Sequence, residues 1–200
     1  MPTRTDEKLL EDYRHGDTEA FRHLIAKHQE DLLRFLIRLT GDRQAAEDIF
    51  QETFLQVHIS ADTFDPTRRF KPWLFTIAAN KARDLLRKRV RRQEVDLSAP
   101  INRGDDGGGQ SFIDLMEVNI PPPEEGLESR ERDTQVQSAI DRMPSALKEI
   151  LLLAYFQRLS YAQIADELEI PLGTVKSRLH SAVASFARSW KLVTSEAKRS

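Results

Sequence analysis

Charge divides this chain before any helix is assigned. Residues 68–92 carry ten basic side chains against one acid, Asp84, whereas residues 93–135 carry eleven acids against three arginines. The second stretch also holds five of the eight glycines and four of the nine prolines, in runs such as GDDGGG and PPPEEG. A segment of that composition cannot bury enough apolar surface to offset the entropy of ordering it, so it reads as a tether. The predicted organisation is a module over 1–92, an acidic linker over 93–133, a second module over 134–190 and a tail over 191–200.

Outside the tether glycine is scarce, and apolar residues recur at three- and four-residue spacings, so both modules are predicted to be all-α. Helices are expected over 6–15, 18–39, 43–58, 72–92, 134–142, 145–157, 161–168 and 172–189. Gly16 and Gly41 follow predicted helices, Pro72 suits a first turn, and Pro144 separates two helices. The absence of cysteine excludes disulfides, thiolate zinc sites and cysteine nucleophiles. The longest apolar runs, such as 150–156, fall far short of the roughly 20 residues of a membrane span, and the N-terminus carries no signal-like apolar core. The expected location is the cytoplasm. The histidines show no metal-ligand spacing, and no carboxylate pair or nucleophile motif marks an active site; no enzyme activity, metal or cofactor is expected.

Three helices carry surfaces that core packing does not explain. At about 100° per residue, Ile49, Phe50, Thr53, Phe54 and Val57 share one side of 43–58, and Asp48, Gln51, Glu52 and Leu55 the other. That second side is either a solvated face or a partner surface, and spacing does not choose. In 72–92, Leu74, Ile77, Ala78 and Leu85 point inward, while Trp73, Thr76, Asn80, Arg83, Arg87 and Arg91 form a stripe that begins aromatic and ends basic. Guanidiniums neutralise phosphates and rings stack on unpaired bases, so the stripe suits nucleic acid. Phe64, Phe70 and Lys71 extend it; Phe64, Phe70 and Trp73 are equally candidates for the core. Ten cations against one acid also require a polyanion or an acidic protein surface opposite them.

The segment over 159–186 has the layout of a helix-turn-helix. Ile164, Ala165 and Leu168 pack the first helix, and Val175, Leu179, Ala182, Val183 and Phe186 the second. The opposite side offers Gly173, Ser177, His180 and Ser181 between Lys176 and Arg178, small and hydrogen-bonding groups for base edges flanked by cations for phosphates. Thr174, beside amides at the helix start, is a further backbone contact. An ordinary helical hairpin is the alternative.

AAEDIFQETFLQV at 45–57, RRFKPWLFTIAANKARDLLRKRVRR at 68–92 and LSYAQIADELEIPLGTVKSRL at 159–179, in that order, resemble a bacterial sigma factor of the extracytoplasmic-function (ECF) branch. The resemblance implies a sigma-two helical bundle and a sigma-four helix-turn-helix domain, with core RNA polymerase and promoter DNA as partners and no small-molecule substrate. Asp48, Gln51 and Glu52, with Leu55 beside them, match positions that dock on the clamp helices of the beta-prime subunit; the sigma-four domain is expected at the beta flap. Residues 64–92 match the region that captures and melts the minus-ten element, with Phe64, Phe70, Lys71, Trp73, Asn80, Lys81, Arg83, Arg87 and Arg91 as contacts. Lys176, Ser177, His180 and Ser181 match readers of the minus-thirty-five element, with Thr174 and Arg178 adjoining. Arginine is frequent in the family at the first and last of those four positions, so Lys176 and Ser181 are departures. The tether resembles the linker that enters the RNA exit path, and an anti-sigma protein is a further implied partner. Two other readings stay open: a stand-alone helix-turn-helix regulator acting as a homodimer, and an interaction protein that keeps the fold without binding DNA.

Overall fold

The computed structural model describes residues 4–94, 127–157 and 159–197, and all regular structure among them is helical. Side-chain caps set the first helix starts. Thr5 accepts the Lys8 N–H ahead of α1 (Asp6–Arg14), Asp17 accepts those of Glu19 and Ala20 ahead of α2 (Thr18–Thr40), and Asp42 accepts that of Ala45 ahead of α3 (Arg43–Ser60). Gly41 ends α2 in the left-handed conformation, φ 69°, which lets α3 turn back against it. A short 3-10 turn, Ala61–Thr63, leads through a loop into α4 (Phe70–Glu94). The second module holds α5 (Leu127–Asp141), α6 (Ser145–Gln157), α7 (Tyr161–Leu168) and α8 (Leu172–Ala197).

Three boundaries differ from expectation. α4 starts at Phe70, two residues before Pro72, because a proline is still tolerated in a first turn, whose amides have no helical acceptor. α5 starts at Leu127, inside the acidic segment, since LESRERD after Gly126 is rich in good helix formers. α8 runs through Ala197 rather than ending near 189: Val193 is buried, and Glu196 pairs with Arg142 at 2.7 Å. Most of the predicted linker, 95–126, lies outside the described residues.

Leu10, Leu24, Leu32, Phe35, Leu36, Phe70, Leu74 and Phe75 are essentially fully buried among α1, α2 and α4. Leu152 and Leu153 of α6 belong to the same core, and Phe156 meets Phe35 at 5.9 Å and Phe75 at 6.5 Å between ring centroids. The next core joins Met143, Ile150, Ile164, Ala165, Val175, Leu179 and Ala182. α6 therefore packs on both sides, as its sequence SALKEILLLAYFQ, apolar almost all round, requires. Arg38 of α2 reinforces the junction through Asp133 at 2.6 Å and Gln137 at 3.1 Å.

Candidate nucleic-acid interface

α3 separates its two sides as the periodicity predicts. Ile49, Thr53, Phe54 and Val57 are buried, with the Thr53 hydroxyl donating to the Ile49 carbonyl at 2.7 Å, while Asp48, Gln51 and Glu52 are exposed. Leu55 is 58% exposed, and Ile59, one turn further on, is 66% exposed. Ile59 was not singled out from the sequence, although its four-residue step from Leu55 places it on the same ridge. Two large apolar side chains beside carboxylates and an amide make a face suited to another helix.

The loop between α3 and α4 corrects the sequence reading. Phe70 is fully buried and Phe64 is 7% exposed, so both rings belong to the core in this conformation and neither offers a face to a base. A chain reversal between two helices leaves a gap that needs an apolar plug, and these rings fill it. Phe64 lies 4.7 Å from the half-buried Trp73, and Phe70 lies 5.9 Å from it. Lys71 is likewise engaged, with Asp31 at 2.9 Å and its ammonium 5.6 Å above the Phe75 ring. Burial pushes the Asp31 carboxyl up, but the Lys71 hydrogen bond and charge outweigh it and hold the group below the ordinary range. At the loop apex residues 65–69 are exposed. Asp65 accepts both the Thr67 hydroxyl and its N–H, at 2.7 and 2.8 Å, and these bonds lower the Asp65 pKa.

Along α4 the cations that looked uncompensated meet acids from elsewhere. Lys81 pairs with Glu52 of α3 at 3.4 Å and Arg89 with Asp42 at 2.7 Å; the Arg89 bond lowers the Asp42 pKa. Arg87 instead approaches Asp84, the one acid of the segment itself, at 3.9 Å. Arg83 forms a two-point contact with Glu149 of α6, one arm at 3.2 Å, and donates to the exposed Asn80 side chain at 3.0 Å. The Glu149 hydrogen bond raises the Arg83 pKa further above its already high value. The Arg91 side chain lies outside those described. Local counting overstated the repulsion, because α2, α3 and α6 supply the acids.

In the C-terminal pair, Ser160 and Gln163 form a capping box at the start of α7, and Glu169 ends it at φ 52°. Pro171 leads into α8, where Val175, Leu179 and Ala182 are buried beneath exposed Lys176, Ser177, Arg178 and Ser181, with His180 half-buried. The Thr174 N–H donates to the Pro171 carbonyl at 2.8 Å. The Ser177 hydroxyl donates to the Thr174 carbonyl at 3.1 Å. This side of α8 is a row of small polar groups edged by two cations, a composition suited to base edges and phosphates of duplex DNA.

The chain matches the Sigma-70 region 2 family over residues 24–92 and the Sigma-70, region 4 family over 133–185. It is 30% identical over 173 residues to the ECF RNA polymerase sigma factor SigW of Bacillus subtilis, covering 86% of this chain and 90% of the relative. It is 33% identical over 178 residues to the RNA polymerase sigma-H factor of Pseudomonas aeruginosa, covering 88% and 89%. Among solved structures, CnrH in complex with the cytosolic domain of CnrY aligns with TM-score 0.64 at 22% identity, over 92% of this chain and 95% of that one. RpoE of Bartonella quintana, solved with the anti-sigma factor NepR, aligns with TM-score 0.63 at 22% identity, over 87% and 98%, which establishes a shared fold.

Proposed function

The chain belongs to the ECF branch of the bacterial sigma-70 family, and from that premise we propose which of its surfaces engage core RNA polymerase and promoter DNA. Sigma factors direct the polymerase to promoters and catalyse no reaction of their own. In this reading residues 1–92 form the sigma-two domain, 134–190 the sigma-four domain, and 93–133 the linker between them. The exposed face of α3, Asp48, Gln51, Glu52 and Leu55, docks on the beta-prime clamp helices, and the sigma-four domain sits at the beta flap. The α3–α4 loop and the outer side of α4, with Trp73, Asn80, Lys81, Arg83, Arg87 and Arg91, take the minus-ten region. The front of α8 reads the minus-thirty-five element, Lys176 and Arg178 holding phosphates while Ser177, His180 and Ser181 face base edges.

The observation that carries the reading is the sharp division of α8, where core residues lie beneath a polar, cation-edged front. Each DNA surface is small, so each alone binds weakly; polymerase sets their separation and converts two weak contacts into one specific one through effective concentration. An anti-sigma protein that covers these surfaces, and action on polymerase in the cytoplasm, complete the proposal.

In-vitro transcription with bacterial core polymerase on a randomised promoter library, with and without the full chain, tests it. New start sites sharing two spaced elements are expected only with the chain, and are lost when Asp48, Gln51 and Glu52 are all replaced by alanine. Retained promoter-specific initiation in that triple variant would falsify the docking assignment. Core-independent binding to a palindrome, with no added initiation, would move the chain to ordinary DNA-binding regulators.

A further inference from the structure

α1 precedes the residues that match region 2, yet it touches the α3–α4 loop at both ends. At the start of the loop, Arg14 donates to the Asp62 carbonyl at 3.3 Å and lies 3.6 Å from the Asp62 carboxylate. At its end, the Glu7 carboxylate accepts the Phe70 N–H at 2.9 Å, across 63 residues of sequence. Phe70 opens α4, so its amide is one of those that a helix start leaves without a helical acceptor. A carboxylate placed there is favoured by both hydrogen bonding and the helix dipole. Glu7 therefore caps α4 from a different helix, a service that neighbouring residues perform for α1, α2 and α3.

α1 can hold the loop because it is itself held. Leu9 and Leu10 are buried, and the Tyr13 ring stacks on Phe21 with centroids 4.5 Å apart. The Tyr13 hydroxyl is hydrogen-bonded to His58 near the end of α3. Asp6 bonds the buried His28 at 2.9 Å, and the His28 ring lies 5.6 Å from that of Phe70. Residues 63–69 are thus strung between two points fixed to one rigid helix, with Phe64 tucked inside and 65–69 facing out.

We propose that α1 is a clasp for promoter opening, with Glu7 and Arg14 as positioning residues that set the loop's backbone where unpaired minus-ten bases are captured. The clasp rests on the sigma-factor reading of that loop. Its effect is on opening and not on polymerase docking, because Glu7 and Arg14 grip the Phe70 amide and Asp62, both of which lie beyond the end of α3.

The test uses holoenzyme assembled from core polymerase and the full chain, on a promoter drawn from the library selection. Opening is followed by permanganate reactivity of unpaired thymines, core affinity by fluorescence titration, and loop order by hydrogen exchange over 61–70 in the free chain. Glu7→Ala is expected to slow opening about tenfold and to raise exchange across the loop, with core affinity unchanged. Glu7→Gln, which keeps an oxygen acceptor for the Phe70 N–H, is expected to recover opening to within about threefold. Lys8→Ala, which removes ion pairs internal to α1, is expected to match the unaltered chain. Unaltered opening in Glu7→Ala overturns the proposal, and so does joint loss of opening and core affinity in both Glu7 variants, which marks general destabilisation. If the unaltered holoenzyme opens no promoter, the sigma-factor reading fails; the exchange measurement still judges the clasp, and unchanged loop protection in Glu7→Ala overturns it.

Discussion

At the scale of single residues, the helix-turn-helix carries an expense in backbone conformation. Glu169 adopts φ 52°, a left-handed geometry in which a side chain is strained and glycine is not. Its N–H bonds back to the carbonyls of Ala165 and Asp166, so the conformation serves to end α7 before Pro171. Glu169→Gly is expected to raise stability by about 0.5 kcal/mol, relief of strain exceeding the added freedom of the unfolded chain. Thermal unfolding of the full chain measures this, and a lowered midpoint would show that the Glu169 side chain contributes more than its backbone costs. The helix end at Leu168 is legible in the sequence, but the left-handed conformation after it is not, since a glutamate and not a glycine stands at that position. Phe64 and Phe70 teach a related lesson: aromatic rings beside arginines suit base stacking and loop packing alike, and spacing does not separate the two.

At the scale of the helix, periodicity was an accurate guide to which side faces inward. The buried sides of α3 and α8 and the exposed Asp48, Gln51, Glu52 and Leu55 were all readable from residue order. The structure adds Ile59 and so lengthens the α3 ridge to nearly three turns. Under the docking proposal, Leu55→Ala with Ile59→Ala is expected to weaken core polymerase binding about tenfold while leaving the unfolding midpoint nearly unchanged, since both side chains are exposed in the free chain. Fluorescence titration against core polymerase and a parallel thermal scan decide it; unchanged affinity would place the docking surface elsewhere. Helix ends were less legible. α5 and α8 each extend past their expected limits because helix-forming composition and remote contacts, such as Arg142 with Glu196, continue what no local stop signal ends.

At the scale of the whole molecule, α6 joins what the charge pattern separates. Its Phe156 reaches the core of α2 and α4, and its Glu149 holds Arg83, a residue assigned to promoter contact. Under that assignment, DNA and Glu149 would compete for the same guanidinium. Glu149→Gln is therefore expected to strengthen binding of the free chain to promoter DNA and to steepen its salt dependence by about one phosphate contact. Fluorescence anisotropy across a salt series reads both; an unchanged slope would mean that Arg83 contributes no phosphate contact in the free chain.

The sequence by itself determined the all-helical class, the inward faces and polar fronts of α3 and α8, and the family, because periodicity and motif order are properties of neighbouring residues. Only the tertiary structure decided which aromatics are core, which cations are already paired and how α1 and α6 close around α4. Lys71 finds Asp31 across 40 residues, Arg89 finds Asp42 across 47, Glu7 finds Phe70 across 63 and Arg83 finds Glu149 across 66. Coulomb attraction and burial act through space, and those separations carry no local signature along the chain.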